Sequence, residues 1–136
     1  MRRFNKLLAG ALWTAEYGNP DLEEDWAFLQ QYSAYHNISK DTQYPKLLMT
    51  TSTKDDRVHP YHARSFVKRL LEVEAARSGK SEDEIKKTVS TSGETSDNVF
   101  YYENIEGGHG GAADNKQQAF NQVMVYDFLW NTLVKD

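Results

Sequence analysis

Cysteine is absent from the 136 residues, which excludes a disulfide framework and any thiolate zinc site. Long apolar runs are also missing, and none approaches the roughly 18 residues that a membrane-spanning helix needs. The start, Met1-Arg2-Arg3-Phe4-Asn5-Lys6-Leu7-Leu8-Ala9-Gly10, is basic and then briefly apolar. It is too short for the core of a signal peptide, and Trp13-Thr14-Ala15-Glu16 ends it. A net charge of -4 gives no electrostatic reason to expect nucleic acid or an anionic membrane as partner. Cytoplasmic residence is therefore the default expectation. The chain has no GxSxG, and the glycines of Gly107 to Gly111 come without the lysine of a phosphate-binding loop. There are no internal repeats.

What is present suits one soluble globular domain with a modest core. Hydrophobic residues make up 39% and charged residues 26%, an ordinary balance for such a protein. Three Trp and eight Tyr argue against disorder, because these side chains need burial or a partner.

Residues 1–20 hold few periodic signals and end in the turn Gly18-Asn19-Pro20. Asp21 is placed to cap a helix whose first turn carries Glu23, Glu24 and Asp25, favourable for the helix dipole. Trp26, Leu29 and Tyr32 then form its apolar stripe. Lys46 to Thr53 reads as a buried strand, followed by a loop over Asp55 to His59. Pro60 opens a second helix to about Ala76, with Ala63, Phe66, Val67, Leu70, Leu71 and Glu74 in amphipathic spacing. Residues 77–98 are charged and hydroxyl-rich, a surface excursion with one helical turn at Glu82 to Lys87. Val99 to Ile105 is a second strand, and a final helix starts near Asn115. Its period runs through Phe120, Val123, Met124, Asp127, Phe128 and Leu129. Strand, helix, strand, helix is the α/β signature and implies parallel strands. Two parallel strands are an incomplete sheet, buried on both faces and open at the edges. The open edge predicts self-association or completion by strands from elsewhere.

Sites in open α/β sheets gather beyond the C-terminal ends of strands. Asp55, Asp56, Arg57 and His109 all fall there. An acid that precedes a histidine in chain order is what the second half of an α/β-hydrolase triad looks like. Such chemistry needs an imidazole that takes and returns a proton, and a carboxylate that fixes its tautomer. Glycines around His109 would let the backbone turn tightly there. The competing reading makes His109 part of a surface turn and Asp55 a cap of the following helix. Asp55 and Asp56 point opposite ways on extended chain and do not share a proton or an ion. Arg57 either neutralises one of them or reaches into a substrate cleft. His59 and His62 have ligand-like spacing but no third ligand, so no metal and no cofactor are implied. Trp26, Phe28 and Trp130 read as core or interface aromatics.

Several motifs, in order, resemble the C-terminal part of the prolyl oligopeptidase family of serine peptidases. They are Met1 to Leu7, Trp13-Thr14-Ala15-Glu16-Tyr17-Gly18-Asn19-Pro20, and Tyr32-Ser33-Ala34-Tyr35-His36-Asn37-Ile38. Tyr44-Pro45, Asp55-Asp56-Arg57-Val58-His59-Pro60 and Gly108-His109-Gly110 follow. The resemblance covers nearly the whole chain and implies the C-terminal portion of an α/β-hydrolase fold over residues 1–136. By the same resemblance Asp55 is the triad acid, His109 the triad base, and Arg57 binds a substrate carbonyl near the cleaved bond. The reaction implied is cleavage of short peptides after proline. The nucleophilic serine, the oxyanion donors and the family's β-propeller have no counterpart here, and residues 77–98 exceed the family's usual connection. The expectation is a fragment inactive alone, a self-associating non-catalytic module, or a chain complemented by a serine-bearing partner.

Overall fold

β-Formers and apolar residues dominate Leu47-Leu48-Met49-Thr50-Thr51-Ser52, and this run forms strand β1 (Leu47–Ser52). The computed structural model describes residues 1–79, 81, 84 and 98–134. Strand β2 (Val99–Asn104) lies parallel to β1, in register from Leu47 opposite Val99 to Ser52 opposite Asn104. Leu47 N–H donates to the Asn98 carbonyl at 2.7 Å and Thr53 N–H to the Asn104 carbonyl at 2.8 Å, so the ladder runs past both ends. Alternation in such a ladder turns the Leu48 and Thr50 amides away from β2. Among the described residues no other strand meets them. The expected α/β pattern with parallel strands and an incomplete sheet is what forms.

The connection between the strands is helix α3 (Tyr61–Ser78), counting from α1 (Thr14–Tyr17) and α2 (Glu23–Tyr32). Pro60 stands at its N-cap with φ −59°, the value its ring imposes. Gly79, at φ +70°, ends it in the left-handed conformation and donates its N–H to the Ala75 carbonyl. Val67, Leu70, Leu71 and Val73 bury one side of the helix, joined by Ile38 and Val99. Each such burial contributes about 1.5–3 kcal/mol. Tyr44, Leu47, Met49, Phe66 and Tyr101 pack around this core.

Helix α4 (Asn115–Leu133) starts where the periodicity places it, with the Asp114 side chain accepting the Gln117 N–H at 2.7 Å. It buries none of its residues. Ring contacts hold it to the sheet, Phe128 on Phe100 and Phe120 by Tyr102, each at 5.6 Å. Val123, Trp130 and Leu133 remain well exposed.

The first part of the chain departs from expectation. Two 3₁₀ segments (Phe4–Lys6 and Leu8–Trp13) lead into α1 where no periodicity is legible. Asp21 does not cap α2: Leu22 holds that position without a side-chain bond. The Asp21 carboxylate instead accepts from Asn5 Nδ2 at 3.0 Å and pairs with Lys6, because the 3₁₀ turn brings both donors beside it. On α2, Leu29 is fully buried and Trp26 half-buried between the Arg2 guanidinium and the His36 ring, while Tyr32 is exposed. Phe28 and Trp130 lie at the surface rather than in the core. Most of the 77–98 excursion, including most of the helical turn read at Glu82 to Lys87, lies outside the described residues. Among the described residues no helix is long and apolar enough to cross a membrane.

Candidate active site

The loop after β1 folds around one carboxylate. Asp55 Oδ1 accepts the backbone N–H groups of Arg57 and Val58, both at 2.9 Å, closing a turn two to three residues long. His109 Nδ1 then lies 3.0 Å from each oxygen of Asp55. A carboxylate only accepts, so the proton of this bond sits on Nδ1 and leaves Nε2 unprotonated in the neutral ring. The Asp55 side chain is 11% exposed and that of His109 45%. The carboxylate is thus sheltered and the imidazole accessible. Burial pushes the Asp55 carboxyl up, but the Val58 and Arg57 amides, with His109, outweigh it and hold it below the usual carboxylate range. The carboxylate is charged at neutral pH and ready to stabilise an imidazolium.

His109 is presented at the tip of a braced loop. Asn104, buried at the end of β2, accepts the N–H groups of Glu106 at 2.9 Å and Gly107 at 2.8 Å. Its Nδ2 donates to Gln117 Oε1 at 2.8 Å, and that oxygen also accepts the Ala113 N–H at 2.9 Å. Gly111 donates its N–H to the Gly108 carbonyl at 2.9 Å, closing the turn that holds His109. Gly111 has φ +81°, which favours glycine. Its carbonyl accepts from Asn121 Nδ2 at 2.8 Å. The start of α4 therefore grips the His109 loop through Gln117 and Asn121.

The pair opens onto a cleft of about 730 Å³ whose wall includes Met49, His59, His62, Phe66 and Asn121. Burial lowers the proton affinity of the His62 ring. His59 Nδ1 accepts the Tyr61 N–H at 3.0 Å and helps start α3. Among the described residues no group of three His, Asp or Glu is placed to hold a metal. Asn121 Oδ1 is buried without a hydrogen-bond partner. Arg57 is exposed, makes no ion pair among the described residues, and is not part of the cleft wall. It therefore does not neutralise Asp55 or Asp56. The structure brings Asp55 and His109 together and leaves Arg57 outside their contact.

A family model described as the prolyl oligopeptidase family matches residues 2–136. The chain belongs to the prolyl oligopeptidase family. It is 36% identical over 134 residues to an uncharacterised peptidase, y4nA, of Sinorhizobium fredii, covering 98% of this chain and 15% of that one. A prolyl endopeptidase studied for inter-domain dynamics in catalysis and specificity shares 32% identity and a TM-score of 0.72, over 98% of this chain and 17% of that one. A post-proline cleaving enzyme from Rickettsia typhi shares 28% identity and a TM-score of 0.73, with 98% and 16% covered. The chain thus spans about a sixth of the length of these relatives, and its fold is the C-terminal part of their catalytic α/β-hydrolase domain. Prolyl oligopeptidase family membership and the parallel strand pair agree with the expectation drawn from the motifs.

Sequence reasoning overlooked Asn104, Gln117 and Asn121. Only the asparagine at the strand end carried a local signal, since an Asn side chain readily bonds its own backbone two residues on. Gln117 reaches Asn104 and Asn121 reaches Gly111, partners ten or more residues away, and nothing in their own neighbourhood announces those two bonds.

Proposed function

We propose that this chain supplies the acid and base of a prolyl oligopeptidase-type serine peptidase, with the serine contributed by polypeptide outside these 136 residues. The observation that carries the proposal is the Asp55–His109 contact, made at 3.0 Å by both carboxylate oxygens across two adjacent strand ends. In this reading His109 Nε2 takes the proton of the attacking serine and returns it to the leaving amine. Asp55 keeps the proton on Nδ1 and stabilises the imidazolium. By the family resemblance Arg57 is assigned to a carbonyl oxygen of the substrate near the cleaved bond. It is exposed and without an ion pair among the described residues, although it stands outside the cleft wall. Short peptides cut after proline are the substrate class, supported by the post-proline cleaving relative. The cytoplasm is kept as the compartment.

The test uses a blocked Gly-Pro p-nitroanilide peptide. It compares the 136-residue chain alone with the same chain expressed within the full reading frame that encodes it. The isolated chain should release no nitroaniline. In the full product His109→Ala should lower kcat by about 10³-fold or more, and Asp55→Asn by a comparable factor. Undiminished hydrolysis by His109→Ala would remove the assignment. A second reading, a non-catalytic module that self-associates, is favoured by the edge of β1 that has no neighbour among the described residues and by the exposed apolar side of α4.

A further inference from the structure

Six residues upstream of His109, the carboxylate of Glu103 collects four donors from three parts of the chain. Thr53 Oγ donates to Oε1 and the Tyr101 hydroxyl to Oε2, each at 2.5 Å. Arg64 Nε donates to Oε2 at 2.9 Å, and the other arm of its guanidinium pairs with Oε1. Thr53 directly precedes Lys54 and Asp55, at the entrance of the loop that bears the acid. Arg64 sits in the first turn of α3, its N–H donating to the Pro60 carbonyl at 3.0 Å, at the loop's exit. Both ends of the Asp55 loop are therefore fastened to one side chain of β2, the strand that leads into the His109 turn.

We propose that Glu103 and Arg64 are positioning residues for the Asp55–His109 pair, holding the acid's loop and the base's strand in one relative placement. The inference rests on the reading of that pair as acid and base. Among the described residues neither bonds to Asp55 or His109, so their action runs through the backbone. The group adds to stability, although the Arg64 side chain is 49% exposed and that of Glu103 15%, so solvent screens part of that contribution. Geometry gives it a second role, because a displacement of about 1 Å at a reacting centre costs about a hundredfold in rate. A bidentate guanidinium adds the directional constraint that a lysine would lack.

The ionisation of the group fits a permanent brace. The Arg64 bonds come first among the causes that hold the Glu103 carboxyl down to about 2. Burial, then the bond to Glu103, pushes the Tyr101 hydroxyl up to about 12. Both keep one protonation state throughout the range in which a histidine base operates.

The experiment follows the low-field Nδ1–H resonance of His109 in the whole natively expressed protein, labelled with ¹⁵N at histidine. Its exchange rate with water is measured in Glu103→Gln, Arg64→Met and Thr53→Val, with Lys68→Gln as an exposed-pair control and Asp55→Asn as reference. Thr53→Val loses a single hydrogen bond and keeps the test usable if the charge variants fail to fold. The expected result is exchange about tenfold faster in the Glu103 and Arg64 variants, and a smaller rise in Thr53→Val, as for a local opening eased by losing a charge-assisted bond. Lys68→Gln should match the parent. If Asp55→Asn abolishes the resonance while the Glu103, Arg64 and Thr53 variants leave its exchange unchanged, the positioning role is overturned and the pair stands. If Asp55→Asn also leaves it unchanged, the acid–base reading falls and this inference with it.

Discussion

A methyl group on Gly107 would lie 2.9 Å from the Gly111 carbonyl and from the Ala112 amide nitrogen, both of them backbone atoms. No side-chain rotation relieves such a contact, so the two ends of the His109 loop must part to admit it. Gly107→Ala should therefore destabilise the fold by about 1–3 kcal/mol, the usual cost of overpacking, read as a shift in urea midpoint. Asn104→Ala acts at the same place by a different route. It strands the Glu106 and Gly107 amides, of which the second is buried, at a further cost of about 1–3 kcal/mol. Equal urea midpoints for parent and both variants would contradict the account of the loop. At this scale the partners of the Asp55–His109 contact are legible in the sequence, because a charged residue after a strand and a glycine-flanked histidine are local patterns. The braces are not. Asn104 reaches Gln117 across 13 residues and Arg64 reaches Glu103 across 39, separations that only the folded chain closes.

Elements are legible in proportion to their periodicity. Strands β1 and β2 and helix α3 stand within two residues of where apolar spacing puts them, since burial on a regular face leaves a regular trace, and α4 begins where its period does. The 3₁₀ segments before residue 14 have no such face, and Asp21, a good cap by residue type, is drawn off by Asn5 and Lys6. The junction of α3 with the strands has its own pH signature. Glu103 is held at about 2 against an ordinary 4.5, first by its bonds to Arg64. A depressed carboxyl stabilises the fold above its unfolded value, and that contribution is lost as pH falls from about 4.5 through about 2. Acid titration followed by circular dichroism should show Glu103→Gln with a flatter stability profile in this window than the parent. Parallel profiles would mean that the junction does not sense the charge of Glu103.

The molecule as a whole has more apolar surface than it can cover. α4 buries none of its residues, and among the described residues one edge of β1 has no neighbour. Open parallel edges and uncovered apolar faces promote association. Sedimentation velocity on the isolated chain should show mass rising with concentration, and Val123→Lys with Leu133→Lys should reverse the trend. A monomer at all concentrations would exclude the self-associating module. Fold class and family are legible at this scale because the motifs run along nearly the whole chain. What completes the sheet is not, since that information is not held in these residues.

Asp55 and His109 stand 54 residues apart, with the whole of α3 and β2 between them. During synthesis Asp55 is made first, and its loop can close on the Arg57 and Val58 amides while its partner does not yet exist. His109 follows late, and the Gln117 and Asn121 that steady its loop come later still. On the proposed reading the proton relay is therefore among the last things this stretch of chain acquires, and a growing polypeptide lacks the support of its base until α4 has been made.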